Sequence, residues 1–215
     1  MMLEIEPQLI NLADWRYDSF MQIEIHALSL EEIKGHEEKI IASLPNDRLE
    51  KANRYIKESD RLLSLGGSYL IEKYVGPGPL LYGEHGKPYK EGKHFSLSHS
   101  GDYVIFVSSP VSIGVDVELV KERKRDISKL VFEEGEEPKD DEEFYLRWCV
   151  KESVAKCLGN GVLCGIKHIP SWIGSFSYEG NDLVTSSIKW KGYRMAVALN
   201  CLDDVCISVI EERIA

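Results

Sequence analysis

The sequence has no long apolar run. Its longest is about the size of Tyr103 to Val107, far short of the roughly 20 residues that span a bilayer. The opening stretch MMLEIEPQLINLADW carries early acids and no basic segment, so it does not read as a secretory signal. A cytoplasmic protein with no membrane partner is expected. Cysteine is sparse: Cys149, Cys157, Cys164, Cys201 and Cys206, all in the C-terminal third. An odd count without a Cys-x-x-Cys pair or a His/Cys cluster excludes a disulfide framework and a zinc site. Buried free thiols of a reducing compartment are expected. Cations are outnumbered, 26 Lys and Arg against 36 Asp and Glu, for a net charge of −10. That argues against nucleic acid as a partner.

The deficit is local. Residues 133–143, EEGEEPKDDEE, hold eight acids and one lysine, so this stretch carries −7 and the remainder −3. It reads as a solvated loop or a helix start. The rest of the surface keeps room for a basic patch and an anionic ligand. The remaining composition, 43% hydrophobic and 29% charged over 215 residues, is that of a globular chain able to bury about 70% of its unfolded surface.

Alternation from Met21 to Ala27 predicts a strand. Ser29 with Glu32 is a capping-box pattern, followed by a helical stripe of Ile33, Ile40 and Ile41. A second helical stretch starts at Pro45 to Asp47 and runs, with a break, to about Tyr74. The Gly-, Pro- and Tyr-rich segment 76–93 is mostly loop. Tyr103–Ser108 and Ser112–Val120 form two strands joined at Pro110; Tyr193–Asn200 and Val205–Glu211 repeat the layout about ninety residues later. Two similar hairpins are read either as a chance resemblance or as two related α+β halves with a boundary near 108–112.

Four constellations carry chemistry. On a strand through Ile113–Leu119, Ile113, Val115, Val117 and Leu119 face a core while Asp116 and Glu118 share the other face, roughly 7 Å apart. Paired carboxylates suit a hard divalent cation and a phosphate substrate; a solvent-facing strand is the plain alternative. In 144–161, Phe144, Trp148, Val154, Ala155 and Leu158 recur at helical spacing, and Gly159 and Gly161 end the helix. Glu152 and Lys156, at i and i+4, share a face. The third set joins Gly86-Lys87-Pro88 to Phe95-Ser96-Leu97-Ser98-His99-Ser100-Gly101, where Lys87 is a mobile cation and Ser98, His99 and Ser100 offer donors at a turn. The fourth is a helical region with Arg48, Lys51, Arg54, Lys57 and Arg61, interleaved with acids. It is either a solvated ion-paired helix or part of a phosphate site.

Each signal is common alone. Their order, G-K-P, F-x-L-S-H-S, G-V-D-V-E and W-x-x-K-E-S-x-x-K-x-x-G-x-G over about residues 44–161, resembles the 4′-phosphopantetheinyl transferase superfamily, in its two-lobed surfactin-synthetase-activating type. Cys149 is a mild departure where Ser or Thr is frequent. The resemblance implies an α+β fold: a pseudo-twofold pair of similar lobes, 1–110 and 111–215, each with a small antiparallel sheet and packed helices, and the active site between them. It implies transfer of the phosphopantetheine arm of coenzyme A to a serine of an apo acyl or peptidyl carrier protein, leaving adenosine 3′,5′-bisphosphate. Asp116, Glu118 and Glu152 would hold Mg2+, or Mn2+ in its place. Glu152 and Lys156 would be catalytic, the one as base and the other on the leaving phosphate. Lys87, Pro88, Ser98, His99, Lys151 and Lys156 would bind coenzyme A, with Arg48, Lys51 and Arg61 at its 3′-phosphate. A monomer is expected, with the acidic stretch 133–143 turned away from an acidic carrier. The competing readings are a degenerate member that binds without transfer and an unrelated Mg2+-dependent phosphohydrolase.

Overall fold

The computed structural model describes residues 20–160 and 165–214. The expected first strand is β1 (Met21–Ser29). Ser29 closes it and caps the next helix, its Oγ accepting from the Glu32 amide at 3.1 Å. Glu32 does not reciprocate. Its carboxylate takes the Ile214 amide and Arg213 at the far end of the chain. The apolar stripe that follows is split at His36 into α1 (Leu30–Gly35) and α2 (Glu37–Ser43). The next helical region is likewise broken, into α3 (Asn46–Ala52) and α4 (Glu58–Tyr74). Segment 76–93 is loop apart from a short ribbon, β2 (Leu81–Tyr82) with β3 (Pro88–Tyr89).

Then come β4 (His94–Ser100), β5 (Tyr103–Ser109), β6 (Ile113–Leu119), α5 (Ser128–Val131) and α6 (Asp141–Leu158). The chain finishes with β7 (Gly174–Tyr178), β8 (Asn181–Trp190), β9 (Tyr193–Leu199) and β10 (Val205–Glu211). Two four-stranded sheets result, ordered β10-β1-β5-β4 and β6-β9-β8-β7. The second is antiparallel throughout. The first is antiparallel except where β10 runs parallel to β1, Met21 opposite Val205 through Ala27 opposite Glu211.

The two expected hairpins do not pair. β5 belongs to the first sheet and β6 to the second; β9 and β10 are divided in the same way. Both short links are steps from one sheet to the other. The reason is in the strands, which are apolar on both faces. In β5, Val104 and Phe106 pack against α4 and its neighbours, while Ile105 and Val107 pack with Ile113, Val115, Val117, Met195, Val197 and Leu199 of the second sheet. Such strands need cover on both sides. The result is four layers: α1–α4, the first sheet, the second sheet and α6. The α+β class and its small sheets are as the sequence implied. Among the described residues no helix is long and apolar enough to cross a membrane. Cys149 and Cys157 are buried thiols, but Cys201 is half-buried and Cys206 exposed, because it points outward from the edge strand β10. Cys164 and Gly161, like the N-terminal stretch read above, lie outside the described residues.

Candidate active site at the seam between the sheets

β4 is the edge of the first sheet and β6 the edge of the second, and the two lie side by side. Ser96, Ser98 and Ser100 bridge them. Ser96 Oγ accepts from the Val115 amide at 3.1 Å, and Ser100 Oγ accepts from the Leu119 amide at 3.1 Å. Ser98 Oγ donates to Asp116 Oδ1 and Ser100 Oγ to Glu118 Oε2, both at 2.7 Å. The expected turn at 98–100 is therefore a strand, and its hydroxyls stand in for the ladder bonds that two edges would otherwise lack. The signal was present as Ser at every second position, 96, 98 and 100, between Phe95 and Leu97.

β6 divides its side chains as expected. Ile113, Val115 and Val117 are fully buried between the sheets, while Asp116 and Glu118 face α6. Gly114 sets the distance. A Cβ there would lie 2.0 Å from the Ser153 carbonyl oxygen and 2.4 Å from the Cys157 nitrogen, so only glycine admits the helix backbone this close. Ala196 and Ala198 on β9 leave room for the same helix. Its N-terminus is capped by Asp140, whose Oδ1 accepts from the Glu143 amide at 2.8 Å, and its C-terminus by Gly159 at φ 76°. The acids of 140–143 crowd the positive end of the helix dipole. Asp141 also pairs with Arg123 at 2.5 Å. The acidic stretch was expected to turn away from an acidic carrier; its Asp141 meets Arg123 of the segment after β6 at the first turn of α6.

α6 is not a surface helix with one apolar stripe. Residues all round it are buried, because the second sheet covers one side and loops cover the others. One face brings Glu152 and Lys156 to Asp116. Lys156 Nζ donates to Asp116 Oδ1 at 2.7 Å and to Ser98 Oγ at 3.1 Å, and stands 4.0 Å from Glu152 Oε2. Burial raises Glu152 to about 7, helped by Asp116 and Glu118 against Lys156. Burial also raises Glu118, opposed by the Ser100 hydroxyl. Burial works to lower Lys156, but Asp116 and Glu152 outweigh it and hold the ammonium charged.

Three acids thus face one lysine. Asp116 Oδ2 is buried without a partner. Excess carboxylate oxygen fits a hard divalent cation. No ready cage is formed, however: among the described residues no three His, Cys, Asp or Glu side chains stand close enough to hold a metal. Lys156 bridges the carboxylates instead.

Beside this cluster lies a cavity of about 170 Å³ lined by Arg48, Lys51, Pro88, Ser98 and His99. Arg48 is 2% exposed, and its Nε and Nη2 have no hydrogen-bond partner. Burial lowers Lys51, with help from Arg48 and Arg54. His99 is lowered by desolvation and by Lys156. A second cavity, about 220 Å³, is lined by Gly86, Lys87, Pro88, Lys156 and Gly159.

Three expected residues are placed differently. Lys87 is not free: its Nζ donates to the Lys156 carbonyl at 2.6 Å and the Ile113 carbonyl at 3.0 Å. Arg61 is paired with Glu37 at 2.5 Å and does not line the Arg48 cavity. Lys151 is fully buried away from the cluster, donating to the carbonyls of Ile166, Lys167 and Ile169. Five residues before Lys156, it projects from another side of the helix.

A cavity lined by Arg48 and Lys51 thus lies beside an acid-rich seam between the two sheets. Residues 112–198 match the 4′-phosphopantetheinyl transferase superfamily model. The chain is 31% identical over 147 residues to a 4′-phosphopantetheinyl transferase of Bacillus subtilis, covering 60% of this chain and 66% of that protein. It is 30% identical over 149 residues to 4′-phosphopantetheinyl transferase gsp of Aneurinibacillus migulanus, covering 61% and 60%. To 4′-phosphopantetheinyl transferase Sfp of Bacillus subtilis (strain 168) it is 29% identical over 144 residues, covering 58% and 64%. The chain is thus similar to the 4′-phosphopantetheinyl transferase superfamily over its central and C-terminal part. It spans 60% to 66% of the length of these curated relatives.

Proposed function

We propose that the chain transfers the 4′-phosphopantetheine arm of coenzyme A to a serine of an apo acyl or peptidyl carrier protein. The observation that carries this reading is a row of buried charged and hydroxyl groups with unbonded atoms at both ends. It runs from the buried guanidinium of Arg48, whose Nη2 has no hydrogen-bond partner and whose Nε stands 3.4 Å from Asp47 Oδ2, past Ser98 and His99, to Lys156 and the orphaned Asp116 oxygen. Its polarity, cationic at Arg48 and Lys51 and acid-rich at Asp116, suits a ligand with a phosphate at one end and a metal-bound pyrophosphate at the other.

In this reading Arg48 and Lys51 bind the 3′-phosphate. Ser98, His99 and Pro88 line the path, and Lys156 meets the pyrophosphate. Asp116, Glu118 and Glu152 would hold Mg2+, which when bound neutralises pyrophosphate charge. The carrier serine oxygen bonds to the β-phosphorus, and the β-phosphorus bond to the bridging oxygen breaks. Adenosine 3′,5′-bisphosphate leaves with the electron pair. Glu152 is the candidate base for the serine proton. Lys156 stabilises the charge that grows on the departing phosphate. Lys87 and Lys151, tied to main-chain carbonyls, brace α6. The lobes 1–110 and 111–215 meet at this seam, with β10 returning across it.

The test is intact-mass analysis of a panel of apo carriers incubated with the chain, coenzyme A and Mg2+. A carrier mass gain by one phosphopantetheine arm, lost in excess chelator, is expected. Binding of coenzyme A without mass gain would favour a degenerate member. Release of free phosphate would favour a phosphohydrolase.

A further inference from the structure

The contact between β4 and β6 ends in a structure more elaborate than a strand edge needs. Ser100 Oγ makes two bonds at once across the seam. It donates to Glu118 Oε2 at 2.7 Å and accepts from the Leu119 amide at 3.1 Å. Side chain and main chain of adjacent residues are thereby fixed by one hydroxyl of the opposite sheet.

The turn after Ser100 is locked to the same place. The Asp102 amide donates to Tyr193 Oη at 3.0 Å, and Tyr193 lies opposite Leu119 in the second sheet. Gly101 sits at φ 55°, where a Cβ would lie 2.5 Å from Tyr193 Oη and 3.2 Å from Leu119 Cδ2. A glycine is therefore required both by the backbone angle and by the close approach. Three neighbouring residues, Ser100, Gly101 and Asp102, all serve the docking of this turn onto Glu118, Leu119 and Tyr193.

We infer that Ser100 is a positioning residue for the transfer reaction, orienting the Glu118 carboxylate toward the Asp116 and Glu152 side of the seam. The inference rests on the reading of the seam as the transfer site. Ser96 is the natural control. Its hydroxyl accepts from the Val115 amide at 3.1 Å, but no carboxylate bond is made by it. Ser96 stitches the seam and Ser100 both stitches and aims.

The experiment compares Ser100→Ala, Ser100→Thr and Ser96→Ala with the unaltered chain. Mg2+ is titrated calorimetrically into each protein saturated with coenzyme A and without carrier, and melting temperature is recorded alongside. Ser100→Ala is expected to weaken Mg2+ binding about ten-fold, the lower end for loss of a hydrogen bond to a ligating side chain. Its Michaelis constant for coenzyme A should stay within about two-fold, because no contact to coenzyme A is removed. Ser100→Thr keeps the hydroxyl and should restore most of the affinity. Ser96→Ala should lower the melting temperature without weakening Mg2+ binding. Mg2+ affinity in Ser100→Ala equal to that of Ser96→Ala, or no rescue by Thr, would overturn the positioning role while leaving the transfer reading intact. Absence of Mg2+ binding and of carrier modification by the unaltered chain would instead overturn the transfer reading.

Discussion

Two buried carboxylate networks in this molecule differ in one respect. Around Glu212 the acid is outnumbered by its partners. Oε1 accepts from Tyr74 at 2.5 Å and meets His26 Nδ1 at 2.8 Å, and Oε2 accepts from Lys73 at 2.5 Å. Burial alone would raise the Glu212 pKa, but Lys73, Tyr74 and His26 reverse it. At the seam three acids share one cation, Lys156, with hydroxyl bonds from Ser98 to Asp116 and from Ser100 to Glu118. Burial pushes Glu118 and Glu152 up, and Asp116 Oδ2 stays unpaired. The first network is complete and latches the returning C-terminal strand onto α4 and β1. The second leaves an acid oxygen open, the place where the proposed reading puts a divalent cation. Satisfied charge marks architecture, and unsatisfied charge marks work to be done.

The sharpest break of that comparison is to remove one acid from each. Glu152→Ala should lower turnover by at least about a hundred-fold while the fold melts at an unchanged or higher temperature. Glu212→Ala should do the reverse, destabilising by about 3 kcal/mol with turnover per folded molecule retained. Denaturant unfolding and carrier mass analysis on the same samples decide it. Equal loss of stability in both would erase the distinction.

Lys156→Ala comes next. The charge that this lysine meets grows in the transition state, so kcat should fall about a hundred-fold with a smaller change in the Michaelis constant for coenzyme A. An effect confined to the Michaelis constant would remove its leaving-group role.

The pH dependence of stability sharpens the contrast. Glu152, at about 7 when folded against an ordinary 4.5, binds its proton more tightly in the folded state. Its contribution is present below about pH 4.5 and is lost as pH rises through 7, a change on the order of 3 kcal/mol. Glu152→Gln should flatten that slope and raise the melting temperature at pH 8. Glu212 has the opposite sign. Its stabilisation is present above the ordinary carboxylate range and fades as pH falls through its lowered value. A Glu152→Gln profile parallel to the unaltered one would contradict the burial argument.

The smallest effect concerns the basic loop. Lys121, Arg123, Lys124 and Arg125 rim a groove of about 770 Å³ whose lining includes Trp148, Tyr145 and Glu118. Arg123 is held by Asp141 and lies 3.9 Å over the Phe144 ring, whereas Lys124 and Arg125 are exposed. Reversing both exposed cations to Glu should raise the Michaelis constant for an acidic carrier several-fold, an effect that salt masks. Coenzyme A binding should barely move. Unchanged carrier kinetics at low salt would take the loop out of the docking surface.

Periodicity alone placed Asp116 and Glu118 on one face of a strand and Glu152 and Lys156 on one face of a helix, because those relations are local and follow from repeats of 2 and 3.6 residues. Composition marked the Gly- and Pro-rich loop at 76–93, while the break in the second helical stretch was expected without a position. Pairing partners were beyond such signals. The strands at 103–109 and 113–119 adjoin in sequence yet enter different sheets, since burial of both faces outweighs the short link between them. Lys151 and Lys156 were alike in the sequence, and only the layers around α6 sealed one among carbonyls and left the other among acids. The need for glycine at 114 and the task of Ser100 arise from contacts with residues tens of positions away. A pattern within one segment reports its own faces. What those faces meet is decided by the packing of the whole chain.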